Sequence, residues 1–182
     1  MPETKKVKFE GKGKFNREDH VTFYNSNITS IDENGIVYGD SPVWMPFGED
    51  NEEITREMNN DVEAKKNVLG ENTIDHSKGA QTTQIDPIAI KRDDVLSYIL
   101  YNIFKYELVG DKATLQCMEV TYADVQNDKT YGAFTEDAIV DVTSWGGDTS
   151  KLNSPATLNW KGNRVHGTFS TETKAFTKTT SA

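Results

Sequence analysis

Apolar and polar positions alternate along much of this chain, more often with a period of two than with a helical period. VTFYNSNITSI, Val21 to Ile31, has the β-branched and aromatic content of a strand. The turn signal DENG, Asp32 to Gly35, followed by IVYG, predicts a hairpin. VWMPF, Val43 to Phe47, is short and apolar, and Pro46 inside it predicts an edge strand. TLQCMEVTY, Thr114 to Tyr122, predicts a strand with Met118, Val120 and Tyr122 on one face. Leu115 and Cys117 fall on the other, so both faces are expected to be partly covered. Ala138, Val140 and Val142 then alternate with Ile139 and Asp141, and ADVQNDKTYGAFTED, Ala123 to Asp137, reads as a polar link. PATLNWKGNRVHGTF, Pro155 to Phe169, predicts a hairpin turning at Gly162-Asn163. In that register Trp160 opposes Val165, Leu158 opposes Gly167 and Ala156 opposes Phe169, with Asn159, Lys161, Arg164 and His166 on the polar face.

One segment has the helical period. Across Asp93 to Tyr106, Val95, Leu96, Ile99, Leu100, Ile103 and Phe104 form an apolar stripe. Asp93 and Asp94 suit the positive end of the helix dipole, and Lys105 the negative end. Between the two patterned halves lies a strongly polar stretch of 40 residues, Gly48 to Pro87. A structureless loop of that length is unusual inside one domain. Val62 and Ala64 alternate with Glu63 and Lys65, and Asn59, Asn60, Gly70 and Gly79 punctuate the stretch. It reads as two polar strands or a long hairpin. A two-stranded polar ribbon is not stable alone in water, so it must be paired or covered. The fold expected is mainly β (α+β): a β-sandwich of two small antiparallel sheets with one flanking helix and a long polar loop or hairpin arm. A single domain spans 1–182, with a flexible N-terminal arm at 1–16, the long polar assembly loop at 48–87 and a flexible C-terminal tail at 171–182.

Composition narrows the function. The 182 residues are 35% hydrophobic and carry a net charge of −9, with a mean hydropathy of −0.66. That balance argues against nonspecific nucleic-acid binding, which needs a basic face to displace counterions. The N-terminus MPETKKVKFEGKGKF is basic without an apolar run, so no signal peptide is expected. No window approaches a membrane span, so no membrane partner is expected and the chain is read as cytosolic when made. The single cysteine, Cys117, sits in an apolar strand and is expected to be a core residue rather than a nucleophile. His20, His76 and His166 lack partners at metal-ligand spacing, and no catalytic or nucleotide-binding motif is present. No enzyme activity, metal or cofactor is therefore expected. Trp44, Trp145 and Trp160 read as core rather than a carbohydrate platform, Trp145 least clearly because it sits in SWGGD. The conspicuous charge feature is Glu49, Asp50, Glu52, Glu53, Glu57, Asp61 and Glu63: seven acids against one base, Arg56, a net −6 over Gly48 to Ala64. Such a run is either a solvated face or a surface that repels phosphates.

Three landmarks carry a resemblance. They are REMNNDVEAKKNVLG (Arg56 to Gly70) followed by TTQIDPIA, then IKRDDVLSYILYNI, then LNWKGNRVHGTF. Their order and spacing, over roughly Val43 to Phe176, resemble the major tail protein, or tail tube protein, of long-tailed siphovirus-type phages of Gram-positive bacteria. The resemblance implies a structural virion protein whose copies, six to a ring, stack into a hollow tube through which DNA is ejected. It implies identical subunits as the main partners, with other tail proteins such as the tape measure and tail terminator, and DNA only as non-sticking cargo. The implied location is the virion tail, and the host cytoplasm during assembly. In that setting the polar stretch acquires its contacts from neighbouring subunits, and the seven acids above become candidate inter-subunit or lumen-facing residues. The rival expectations are a β-sandwich binding or capsid-decoration module recognising glycans or another protein, and an enzyme.

Overall fold

A computed structural model describes residue 9, residues 13–47 and residues 54–179 of the chain. The architecture is mainly β with one α-helix, an α+β fold, and every strand pairing among the described residues is antiparallel. The strands run β1 (His20–Asn25), β2 (Ile28–Asp32), β3 (Gly35–Tyr38), β4 (Trp44–Pro46), β5 (Ile54–Glu57), β6 (Asp61–Lys66), β7 (Asn72–Ser77) and β8 (Thr82–Ala89). After α1 (Val95–Lys105) come β9 (Thr114–Asn127), β10 (Thr130–Val142), β11 (Gly146–Gly147), β12 (Leu152–Trp160), β13 (Val165–Ser170) and β14 (Phe176–Lys178). Ten strands form the main sheet, whose central path is β4-β1-β9-β10-β12-β8-β5. Two small two-stranded sheets, β2-β3 and β6-β7, stand beside it.

The alternation in β9 buries both of its faces. Leu115 and Cys117 join the larger hydrophobic cluster with α1, β8, Val140 and Leu158. Met118 and Val120 face the smaller one with Phe23, Ala133 and Phe169. The helix lays Leu96, Ile99, Leu100 and Ile103 on the larger cluster. Asp94 is its N-cap: the carboxylate accepts hydrogen bonds from the backbone N–H groups of Leu96 (3.3 Å) and Ser97 (2.8 Å) and from the Ser97 hydroxyl (2.7 Å). Asp93 stays exposed. The DENG turn closes the β2-β3 hairpin with Asp32 opposite Gly35, and β4, containing Pro46, is an edge strand.

Four expectations from the pattern are corrected. Ala123 to Asp137 is not a link: β9 and β10 run through it as one long hairpin turning at Asp128-Lys129. Asp124, Thr130, Thr135 and Asp137 sit at half-exposed strand positions while Glu136 is buried, which hides the alternation. Gly162-Asn163 does not close a hairpin. Instead β12 and β13 follow one another along the same edge of β10, Trp160 opposite Ala138 and Val165 opposite Thr135. The residues between form a bulge, with Gly162 at φ +74° and the Asn163 side-chain oxygen accepting from the Asp137 N–H at 2.9 Å. A glycine suited to positive φ serves a bulge as well as a primed turn, and long-range pairing with β10 decides between them. Part of Thr171 to Ala182, expected to be a frayed tail, forms β14, in which Phe176 pairs with Phe169. Phe104, expected in the core, is half-exposed.

Candidate assembly surface

The polar stretch leaves the main sheet as a ribbon. β5 and β8 pair on the body, with Ile54 opposite Ile85 and Glu57 opposite Thr82. Beyond them β6 and β7, among the described strands, pair only with each other, and all twelve of their residues are exposed. The junction is built. Asn59, at φ +50°, donates through its side-chain amide to the Ala80 carbonyl (2.8 Å) and the Thr82 hydroxyl (3.1 Å). Gly79 lies so close to Asn59 that a β-carbon there would overlap the Asn59 carbonyl. The tip is also ordered: the Asn67 side-chain oxygen accepts from the N–H groups of Leu69 (3.0 Å) and Glu71 (2.9 Å), and Gly70 supplies φ +80°. This turn thrusts out Val68 and Leu69, both strongly exposed.

Register gives the ribbon two unlike faces. Val62 opposes His76, Ala64 opposes Ile74 and Lys66 opposes Asn72, so these six side chains share one face, apolar at Val62, Ala64 and Ile74 and polar towards the tip, with Ile74 75% exposed. On the other face Glu63 opposes Asp75, a like-charge pair that is unfavourable. Lys65 relieves it, its ammonium 2.8 Å from Glu63 and 4.0 Å from Asp75. An exposed strand pair that carries apolar side chains is a surface proteins ordinarily cover.

The root of the ribbon is held by a buried ionic cluster. From β5, the Arg56 guanidinium donates to Glu119 (2.9 Å), Glu136 (2.6 Å) and the Gln81 side-chain oxygen (2.6 and 2.9 Å). It lies 4.0 Å from the centroid of Trp160, whose indole N–H donates to the Thr83 hydroxyl at 2.9 Å. Arg164, delivered by the β12–β13 bulge, donates to Glu136 at 3.0 and 3.1 Å, and the Gly162 N–H donates to the same carboxylate at 3.0 Å. His20 lies 3.2 Å from Glu119. Burial works to raise the Glu119 carboxyl, but the His20 hydrogen bond and the Arg56 charge together hold it below its ordinary value. Two arginines thus balance two buried glutamates, and each carboxylate has hydrogen-bonding partners, as buried charge requires.

A second exposed surface lies on the outer side of α1. Tyr98, Tyr101 and Phe104 recur three residues apart and are each about half-exposed. Phe104 stacks on Trp145 at 5.0 Å with 6° between the rings, and Tyr101 lies 5.9 Å from the same indole.

Of the seven acids singled out in the sequence, Glu49, Asp50, Glu52 and Glu53 lie outside the described residues. Glu57, Asp61 and Glu63 are exposed, Glu57 at the end of β5 and the other two on the charged face of the ribbon. The ionic cluster and the aromatic surface were not expected from the sequence. Signals existed for both: Glu119 shares a strand face with Leu115 and Cys117, and the three aromatics repeat at helical spacing. Trp160 is buried in the larger cluster, Trp44 packs half-buried against the smaller one, and Trp145 is half-buried. Cys117 is buried, and burial pushes its thiol up, away from the reactive thiolate. It lines one wall of a cleft of about 590 Å³ with Trp44, Asp137 and Phe176. Among the described residues no group of three His, Cys, Asp or Glu side chains is placed to hold a metal ion, and no helix is long and apolar enough to cross a membrane. Comparison with protein-family models and with curated proteins finds no match.

Proposed function

We propose that this protein is a self-assembling structural subunit, and that its assembly is the stacked-ring tube of a long-tailed phage. The observation that carries the reading is the β6-β7 ribbon, a two-stranded sheet that exposes Val62, Ala64 and Ile74 on one face and pairs with no other described strand. Such a ribbon is marginal in water by itself, and its neighbours in a ring of identical chains would supply what it lacks. A ring needs two different patches on each subunit, and a ribbon fixed at its root and free along its length is suited to be one of them. The seven acids fit the same reading. Six copies at −9 each would bring −54 to a ring, and acids turned to the lumen would repel phosphate so that DNA slides rather than binds. Identical subunits are then the principal partners, tape measure and terminator proteins meet the tube at its interior and end, and no cofactor takes part. Electron microscopy of the concentrated protein tests this. Rings or tubes of uniform diameter are expected; particles that remain single subunits at every concentration would contradict it.

The exposed aromatics of α1 favour a second reading, a binding module that stacks aromatic rings on a glycan. A monomer that binds oligosaccharide with a change in tryptophan fluorescence is the result that reading expects.

A further inference from the structure

We infer that the receptor for the ribbon is the aromatic surface of α1 on a neighbouring copy: the Val62, Ala64 and Ile74 face and the Val68-Leu69 tip seat on Tyr98, Tyr101, Phe104 and Trp145. This rests on the self-assembly reading and names the two patches it needs. Together the two surfaces carry seven of the fifteen large hydrophobic side chains exposed among the described residues, Val62, Val68, Leu69 and Ile74 on the ribbon and Tyr98, Tyr101 and Phe104 on the helix. They lie on different elements and do not cover each other within one subunit, since every residue of β6 and β7 is exposed. Contact between them is therefore heterologous, the kind that propagates round a ring rather than closing a pair.

Their dimensions agree. Six-residue strands extend about 20 Å, and an 11-residue helix is about 16 Å long. The apolar ribbon face can lie along the helix with the tip reaching past one end. The three half-exposed rings leave on the order of 100 Å² each uncovered, so the two sides together bury about 600 Å², well below the roughly 1,600 Å² of a standard interface. One such contact is weak alone and becomes stable when several close a ring.

Disulfide trapping tests the pairing, because the single native cysteine, Cys117, is buried. Ile74→Cys protein mixed with Tyr101→Cys or Tyr98→Cys protein, assembled and mildly oxidised, is expected to give a cross-linked dimer of one variant with the other. Ile74→Cys with Lys129→Cys, at the distant β9–β10 turn, is expected to give none. Assembly of all these proteins with no Ile74 cross-link to either helix position would overturn the pairing while leaving the ring reading intact. Ile74→Asp and Tyr101→Asp variants, checked for native circular dichroism, are each expected to assemble at least ten-fold less readily than the unmodified chain. Unimpaired assembly of both would likewise overturn the pairing. Failure of the unmodified chain to assemble under any condition would overturn both readings.

Discussion

Arg56 is the residue on which the ribbon's placement turns. It lies where the exposed arm meets the body, and it balances two glutamates that the fold has largely removed from water. Replacing a buried ion pair by apolar residues is often harmless, but deleting one partner strands the other charge. Arg56→Ala leaves Glu119 with His20 and Glu136 with Arg164, and removes the guanidinium from the Trp160 face. We expect a loss of about 3 kcal/mol, the low end for breaking a buried pair because Arg164 stays paired with Glu136 and His20 stays hydrogen-bonded to Glu119, measured by urea denaturation. A loss below about 0.5 kcal/mol would mean that the cluster is not holding β5. Little of this was legible beforehand. Arg56 reads in the sequence as the lone base among seven acids, and only the folded pairing shows that its partners are Glu119 and Glu136, 63 and 80 positions away.

At the scale of elements, what could be read depended on whether the local pattern was decisive. The ribbon was legible because Val62 and Ala64 alternate with Glu63 and Lys65, and because Asn and Gly mark its ends and tip. The helix was legible from its stripe and its Asp94 cap, although Phe104 turns outward to meet Trp145 from a distant loop. The β12–β13 hairpin was misread because alternating apolar residues around Gly-Asn fit a turn and a bulge equally. The outcome was settled by β10, whose 13 residues offer one edge long enough to take both strands in succession. The same cluster makes the β5 element acid-sensitive. The fold holds the Glu119 carboxyl below its ordinary value, so its contribution to stability is complete above the usual glutamate range, about 4.3. That contribution is lost as pH falls through the depressed value. The unfolding midpoint of the native chain is expected to fall more steeply below about pH 4 than that of Glu119→Gln. Parallel pH profiles would remove Glu119 from the account.

For the whole molecule, the fold explains how a firm body and an uncovered arm coexist in one chain. Two hydrophobic clusters on opposite faces of β9 hold the sheet and helix, while β6 and β7 rest on neither. On the proposed reading, a subunit built this way is completed by a copy of itself. The class of fold was readable from alternation alone. The docking surface was not, because exposed aromatics on a helix resemble a core stripe until the helix is seen packed by its other side. Hydrogen exchange of the backbone amides from Asp61 to Ser77, compared between dilute and assembled protein, reads the cover of the ribbon directly. Exchange close to that of an open chain is expected in the dilute subunit, with at least a hundred-fold slowing on assembly. Strong protection already present in the dilute subunit, or rapid exchange that persists in the assembled particle, would contradict the self-assembly reading.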